Sequence, residues 1–145
     1  MTPAGDDIVG MLSLETLGYY SDREGSQRFP FSLALFYPSR GDFVACVGNS
    51  GSRDFVRSVV GSFRKVAKFP SEGAALPGMV SAAGWSDQWA FWQAGYPGLM
   101  VTDTANFRNP NYHMASDELW TLDISFAANV ARWLAAGTLI LLGPR

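Results

Sequence analysis

The chain has 145 residues, of which 48% are hydrophobic and 14% aromatic, so it has enough apolar side chains for one folded domain, residues 1–145, with its own core. Its formal net charge is -2, from 11 basic and 13 acidic residues that are scattered along the chain. It therefore lacks the basic stripe that binding to nucleic acids requires, and it is too rich in apolar residues for a disordered chain.

Neither end of the chain predicts a targeting or membrane segment. Residues 1–7 have no basic n-region and no apolar h-region, so they do not resemble a secretory signal. The longest apolar stretch, residues 133–142, is about half the length that a membrane span needs and predicts the buried end of a helix. We therefore expect a soluble protein with no membrane span, in a compartment that the sequence does not indicate.

The first half of the chain predicts a strand, a loop, a second strand and a helix. Residues 8–17 are a strand-like apolar run, and residues 21–39, which contain glycine and proline, predict a long loop at the border of a cleft. Residues 42–48 predict the second strand, and the apolar residues of 52–68 recur at helical spacing. Cys46, the single cysteine, is expected to be buried, and it excludes an internal disulfide or a cysteine metal cluster.

The middle of the chain predicts an irregular segment and then a short helix. Residues 69–84 are rich in glycine, proline and alanine, which disfavour a regular element. A helix is predicted over residues 89–94, with Ser86 or Asp87 as its N-cap and Gly95 at its end.

The C-terminal part predicts a strand and a long closing helix. The strand covers residues 98–102, and the helix covers residues 122–142 with Thr121 or Asp123 as its cap. Because strands alternate with helices along the chain, we expect parallel strand pairing in an α/β sandwich.

Three tracts carry candidate chemistry. The first, Leu14-Glu15-Thr16-Leu17-Gly18-Tyr19, places an acid near the end of the first apolar run. The second, Ser86-Asp87-Gln88-Trp89-Ala90-Phe91, lies at a predicted helix start. The third, Tyr112-His113 with Asp117, holds the single histidine. Neutral imidazole is the commonest metal ligand, and a ligating histidine usually donates its other ring N–H to a carboxylate or carbonyl.

In this order the three tracts resemble the co-catalytic zinc aminopeptidases, whose relatives include the glutaminyl cyclases, from about residue 8 to the final helix. The resemblance implies a three-layer α/β sandwich with a mixed, largely parallel sheet. It implies that Glu15 ligates one zinc ion, that His113 ligates the other and that the Tyr112 hydroxyl stabilises a tetrahedral intermediate. It also implies that Asp87 supports the ligands and that Asp117 accepts a hydrogen bond from His113.

Each candidate also has a purely structural interpretation, and the sequence leaves both open. Glu15 can be a solvated carboxylate at a strand end, and Asp87 can be a helix cap. Tyr112 can simply pack its ring, and His113 can be a solvated residue in a turn. Gln88 stands where the family usually has histidine, and this departure puts the tuning of the site in doubt.

The resemblance further implies that this chain carries part of the family site. In the family, a histidine, a bridging aspartate and a Glu-Glu pair lie upstream of the strand that residues 12–17 match, whereas here only about ten residues precede that strand and none is histidine. Each metal needs about three protein ligands. We therefore expect the C-terminal part of the domain, with one ligand for each zinc ion and no general base.

Two functions follow as hypotheses. The first is hydrolysis of N-terminal peptide bonds in a peptide substrate by a two-zinc aminopeptidase site to which this chain, inactive alone, contributes. The second is a non-catalytic remnant, or a module that assembles with a separate N-terminal half or with itself, because part of a sheet leaves an unpaired edge. A serine hydrolase is not supported, since no Gly-x-Ser-x-Gly motif occurs.

Overall fold

The computed structural model of the chain describes residues 5, 7–29, 31–77 and 84–143. In these residues two strands come first, and α-helices and strands then alternate along the chain. The elements are β1 (Met11–Glu15), β2 (Val44–Asn49), α1 (Arg53–Val66), β3 (Ser71–Leu76), α2 (Gln88–Gln93), β4 (Gly98–Thr102) and α3 (Ile124–Leu142).

The strands form one sheet in the order β1-β4-β2-β3. β1 is parallel to β4 and β2 is parallel to β3, whereas β2 and β4 are antiparallel. The carboxyl ends of β1 and β4 therefore lie at the same edge of the sheet as the amino ends of β2 and β3. This is the expected mixed, largely parallel sheet.

The core lies between one face of the sheet and the helices α1 and α3. Side chains of β2, β4, α1 and α3 form it: Val44, Cys46, Val56, Val59, Val60, Phe63, Leu99, Val101, Phe126, Val130 and Leu134. The two helices approach closely at Gly137, where a Cβ would lie 3.3 Å from the Phe63 backbone. Glycine thus allows a contact that a side chain would obstruct.

Cys46 is buried in this core, as expected, at 1% exposure. Burial raises the pKa of its thiol to about 12, since a thiolate is poorly solvated there. Because the thiolate is the reactive form, Cys46 acts as a small apolar side chain.

α2 lies on the opposite face of the sheet. Residues alternate along β4, so Gly98 faces away from the core when Leu99 faces into it. A Cβ on Gly98 would contact Gln88 of α2 at 3.4 Å, and Trp92 Nε1 donates to the Gly98 carbonyl at 2.9 Å. Helices therefore cover both faces, which confirms the three-layer α/β sandwich.

One predicted element is wrong. Residues 71–76, which lie within the segment expected to be irregular, form β3, whereas residues 78–83 lie outside the described residues. Serine, glycine and alanine have low β propensity, and the strand depends on pairing and packing instead. Gly73 lies under Val56 and Val60 of α1, and Arg64 Nε donates to Ser71 Oγ at 3.0 Å.

Two predicted helix caps have different outcomes. Asp123 caps α3, because its side chain accepts from Phe126 N at 2.8 Å. Asp87, one of the two predicted candidates, stands at the N-cap position of α2, but its side chain makes no capping hydrogen bond.

The structure also corrects the prediction that the C-terminal apolar stretch is too short to cross a membrane. The 19 residues of α3 make it, within the described residues, a helix long and apolar enough to cross a membrane by length and composition. Its end is not buried as expected, since Leu139 is 71% and Leu142 is 53% exposed. Its other side packs in the core through Phe126, Val130 and Leu134, and core helices of soluble proteins can have the same length and composition.

We predict that Leu99→Ala lowers the free energy of unfolding by about 2 to 5 kcal/mol, because it leaves a cavity at a fully buried position in β4. Leu14→Ala in β1 is the matched control, and since Leu14 is 58% exposed its effect should be about 0.5 kcal/mol or less. Urea unfolding followed by circular dichroism measures both variants. Equal losses would contradict the burial of Leu99 in the core.

Candidate functional site

A cavity of about 120 Å³ lies on the face of the sheet opposite the core. Its floor is built from the strand residues that alternate with those of the core: Glu15, Ala45, Val47, Glu72, Ala74, Leu76, Met100 and Thr102. Loop residues form its walls: Gln27, Phe29, Leu33, Tyr37, Phe43, Trp85, Thr104, Ala105, Asn106, Phe107 and Tyr112. A cavity of roughly 150 Å³ can hold benzene, so this one has the size for a single side chain.

Four floor residues form a straight row across the sheet. Glu15 is in register with Thr102, and Thr102 is in register with Ala45. Ala45 is in register with Glu72 on the outer strand β3. The row therefore has a carboxylate at each end and small uncharged side chains between them.

Glu15, at the end of β1, is held by two serines. Ser86 Oγ donates to Glu15 Oε2 at 2.9 Å, and Ser13 Oγ lies 2.8 Å from Ser86 Oγ. Because the Ser86 hydroxyl has one proton and gives it to Glu15, the Ser13 hydroxyl is the donor in the second contact. These two hydrogen bonds thus fix the Glu15 carboxylate and leave its Oε1 oxygen for a ligand.

Tyr112 lines the same cavity as Glu15, and His113 lies beside it. The His113 side chain is exposed and stacks on the Tyr112 ring, with centroids 4.0 Å apart and planes at 15°. The backbone of His113 has φ +60°, a left-handed conformation that is uncommon for residues other than glycine. The turn thus presents a phenol to the cavity and an imidazole next to it.

The remaining predicted site residues are less closely tied to the cavity. Asp117 is exposed, and its carboxylate lies 3.5 Å from Asn109 Nδ2, its hydrogen-bond partner among the described residues. Asp87 is exposed and follows Ser86, which holds Glu15. The metal-binding roles of Glu15 and His113 and the supporting roles of Asp87 and Asp117 stay predictions.

Asp103 organises the loops at this edge of the sheet, although it does not line the cavity. The residue is 2% exposed, and its carboxylate accepts from Gly18 N at 3.0 Å, Tyr19 N at 2.8 Å and Ala105 N at 3.0 Å. Its backbone N–H donates to Thr16 O at 2.8 Å. Burial raises the pKa of Asp103, and the N–H donors of Tyr19 and Ala105 oppose that rise. Asp103 therefore joins the segments that follow β1 and β4.

A buried arginine supports the cavity wall. Arg108 is 3% exposed, donates from Nε to Gln27 Oε1 at 2.8 Å and lies over the Phe43 ring at 4.5 Å. Gln27 Nε2 in turn donates to Thr104 Oγ1 at 2.9 Å. Burial lowers the pKa of Arg108 to about 10, so it is still a cation at neutral pH. It thus positions Gln27, Phe43 and Thr104, which all line the cavity.

Sequence reasoning missed Glu72, Gln27 and Arg108. Glu72 lay in the segment predicted to be irregular, and Gln27 lay in the predicted loop. An isolated arginine such as Arg108 carries no sequence signal for burial. The predicted metal site is incomplete, because the described residues contain no group of three His, Cys, Asp or Glu side chains placed to hold a metal ion.

Comparison with known proteins supports the fold. No family model matches the sequence. Over 121 residues, the chain is 35% identical to the protein YfbL of Escherichia coli K12, described as uncharacterized; this stretch is 83% of the chain and 38% of YfbL. Two crystal structures of LapA from Legionella pneumophila, one described as an aminopeptidase, each match 95% of the chain with a TM-score of 0.66. Their sequence identities are 15% and 14%, and the chain covers 33% and 32% of them.

The chain therefore has an aminopeptidase-like fold and spans about a third of the length of these proteins.

We predict that Asp103→Ala lowers the free energy of unfolding by about 3 kcal/mol or more, because it leaves three partly buried N–H groups without their acceptor. Asp117→Ala, at an exposed carboxylate, is the control, with an expected change of about 0.5 kcal/mol or less. Chemical denaturation of both variants measures the difference. A loss as small as that of the control would show that the loops at this edge do not depend on Asp103.

Proposed function

We propose that this chain supplies the substrate cavity, and one ligand for each metal ion, of a dinuclear zinc aminopeptidase site that hydrolyses N-terminal peptide bonds. The observation that carries the proposal is that Glu15 and Tyr112, which resemble a metal ligand and an oxyanion donor of that family, line one cavity on an aminopeptidase-like fold.

The described residues do not fit a complete zinc site. Such a site needs about three protein ligands for each ion, and the chain offers Glu15 to one and His113 to the other. We propose that the remaining ligands and the general base come from a segment outside this chain. This agrees with the chain spanning about a third of LapA.

The chain's own residues have distinct proposed roles toward a peptide. The aromatic and aliphatic walls receive the side chain of the N-terminal residue and exclude water from it. The Tyr112 phenol donates to the oxygen that becomes negative when the peptide carbonyl is attacked. Glu15, oriented by Ser86, would hold one zinc ion in the complete site, and in the isolated chain it pairs with the α-ammonium group.

A second candidate function is a non-catalytic module that assembles with another chain segment or with a second copy. The exposed apolar side chains favour it: Leu14 on the edge strand β1 is 58% exposed, and Leu139 on α3 is 71% exposed. Exposed apolar surface and a sheet edge both promote association. In this case the cavity has no ligand of its own.

We predict that L-leucinamide binds the cavity and that N-acetyl-leucinamide, which lacks the α-ammonium group, binds about fivefold more weakly because it cannot pair with Glu15. Chemical-shift changes of the backbone amides of Ala45 and Thr102 in the floor row report the binding. Glu15→Gln should remove most of the difference between the two ligands, and Glu118→Gln, outside the cavity, should retain it. No binding of either amide would reject the cavity role and favour the assembly module.

We also predict that the isolated chain does not hydrolyse an aminoacyl anilide at any zinc concentration and binds zinc weakly, because it lacks the glutamate base whose proton transfer is worth about 10²- to 10⁴-fold in rate. Zinc titration followed by calorimetry and by anilide cleavage tests both statements. Zinc-dependent turnover that His113→Ala abolishes would show that the chain completes a site by itself, for example as an oligomer.

A further inference from the structure

The charged residues among the described lining of the cavity are both acidic. Glu15 lies at one end of the floor row and Glu72 at the other, and the part of the lining that the structure describes contains no lysine or arginine. Between them the row has Thr102 and Ala45, and aromatic side chains form the nearby walls. A ligand that fills this cavity therefore meets a negative charge at each end and an apolar surface in the middle.

Glu72 has no ion-pair partner among the described residues. It also borders a groove on the outer side of β3 that contains Arg53, Arg57 and Arg64. Arg64 donates to Ser71, and Arg57 pairs with Asp54 at 3.5 Å. Within the part of the chain that the structure describes, no basic group lies within 4 Å of the Glu72 carboxylate. Its charge is thus available to a ligand.

The negative charge of Glu72 acts on a residue of the cavity wall. Tyr37 lines the cavity, and its phenol donates to Gly73 O at 3.3 Å, next to Glu72 in β3. Burial raises the pKa of Tyr37, and the negative charge of Glu72 raises it further. The same negative charge that disfavours the Tyr37 phenolate would therefore stabilise a cation in the cavity.

The spacing of the two carboxylates suits one extended basic residue. Three strand-to-strand steps place the Cα atoms of Glu15 and Glu72 about 14 Å apart. If the side chains stand upright, hydrogen bonds of about 2.8 Å at each end leave about 8 Å between two bound cations. The α-amino and ε-amino groups of lysine are six bonds apart, which is about 7 to 8 Å in an extended side chain.

We propose that Glu72 is the specificity-determining residue of the cavity and selects peptides whose N-terminal residue is lysine or arginine. The α-ammonium group lies at Glu15, the aliphatic stem lies over Thr102 and Ala45, and the cationic head pairs with Glu72. This inference rests on the proposed function, because it assigns the cavity to the N-terminal residue of a peptide.

The test compares L-lysinamide with L-norleucinamide, which has a side chain of similar length and shape without the terminal charge. Titrations of the full chain are followed by the backbone amide shifts of Ala45 and Thr102 at low ionic strength. We expect lysinamide to bind about fivefold more tightly, as for a partly exposed ion pair, and the preference to shrink as salt screens the charges.

Three variants separate the roles of the carboxylates. Glu72→Gln should make the two affinities equal, and Glu72→Lys should make norleucinamide the tighter ligand by repulsion. Glu15→Gln should weaken both amides by the same factor and so retain the preference. Glu118→Gln, which removes an exposed carboxylate outside the cavity, should behave as the unchanged chain. Amide spectra of each variant without ligand verify that it is folded.

The outcomes distinguish this inference from the proposed function. Equal binding of lysinamide and norleucinamide by the unchanged chain would overturn the role of Glu72 while leaving the cavity as a site for N-terminal residues. A preference for lysinamide that persists in folded Glu72→Gln would also overturn it, because another charge would then be responsible. Failure of leucinamide, norleucinamide and lysinamide alike would reject both proposals.

Discussion

The buried carboxylate of Asp103 is the interaction on which the edge of the sheet depends. It lies directly after β4 and accepts from backbone N–H groups of the segment after β1. It therefore holds together two segments that are distant in sequence. Residues with positive φ surround it: Thr16 at +47°, Thr104 at +75° and Ala105 at +48°. Such conformations cost about 1 to 3 kcal/mol each and persist only where the surroundings determine them. The hydrogen bonds to Asp103 and the Thr16–Thr102 hydroxyl contact at 3.3 Å hold these backbone conformations in place beside the cavity.

The sequence predicted most elements, because their signals are local. The apolar run that follows the helix stop at Gly95 located β4 at its observed bounds, and the helical spacing located α1 within two residues at each end. The cap at Asp123 was also a local signal. β3 was missed because Ser71–Leu76 has little strand propensity of its own. It forms through pairing with β2 and contact with α1, which are interactions between residues distant in sequence.

The site was predicted only in part, for a related reason. Motifs identified Glu15 and Tyr112, which both line the cavity, since an acid at a strand end and a Tyr-His pair are short patterns. Nothing local connects residue 15 with residue 72, because their relation passes through two other strands in register. A one-residue change of register in β3 would turn Glu72 to the other face of the sheet. The chemistry of the cavity is therefore set by strand pairing as much as by residue type.

The strand directions explain why both carboxylates lie at the same edge. β1 and β4 run opposite to β2 and β3, so the row contains the last residues of β1 and β4 and the second residues of β2 and β3. An all-parallel sheet with the same strand order would place residues 45 and 72 at the other edge, away from the loops that carry Tyr112. The antiparallel step between β4 and β2 therefore brings the loop after β4, the two carboxylates and the apolar walls into one cavity. Exchanging that step for a parallel one would preserve every local motif and dismantle the site.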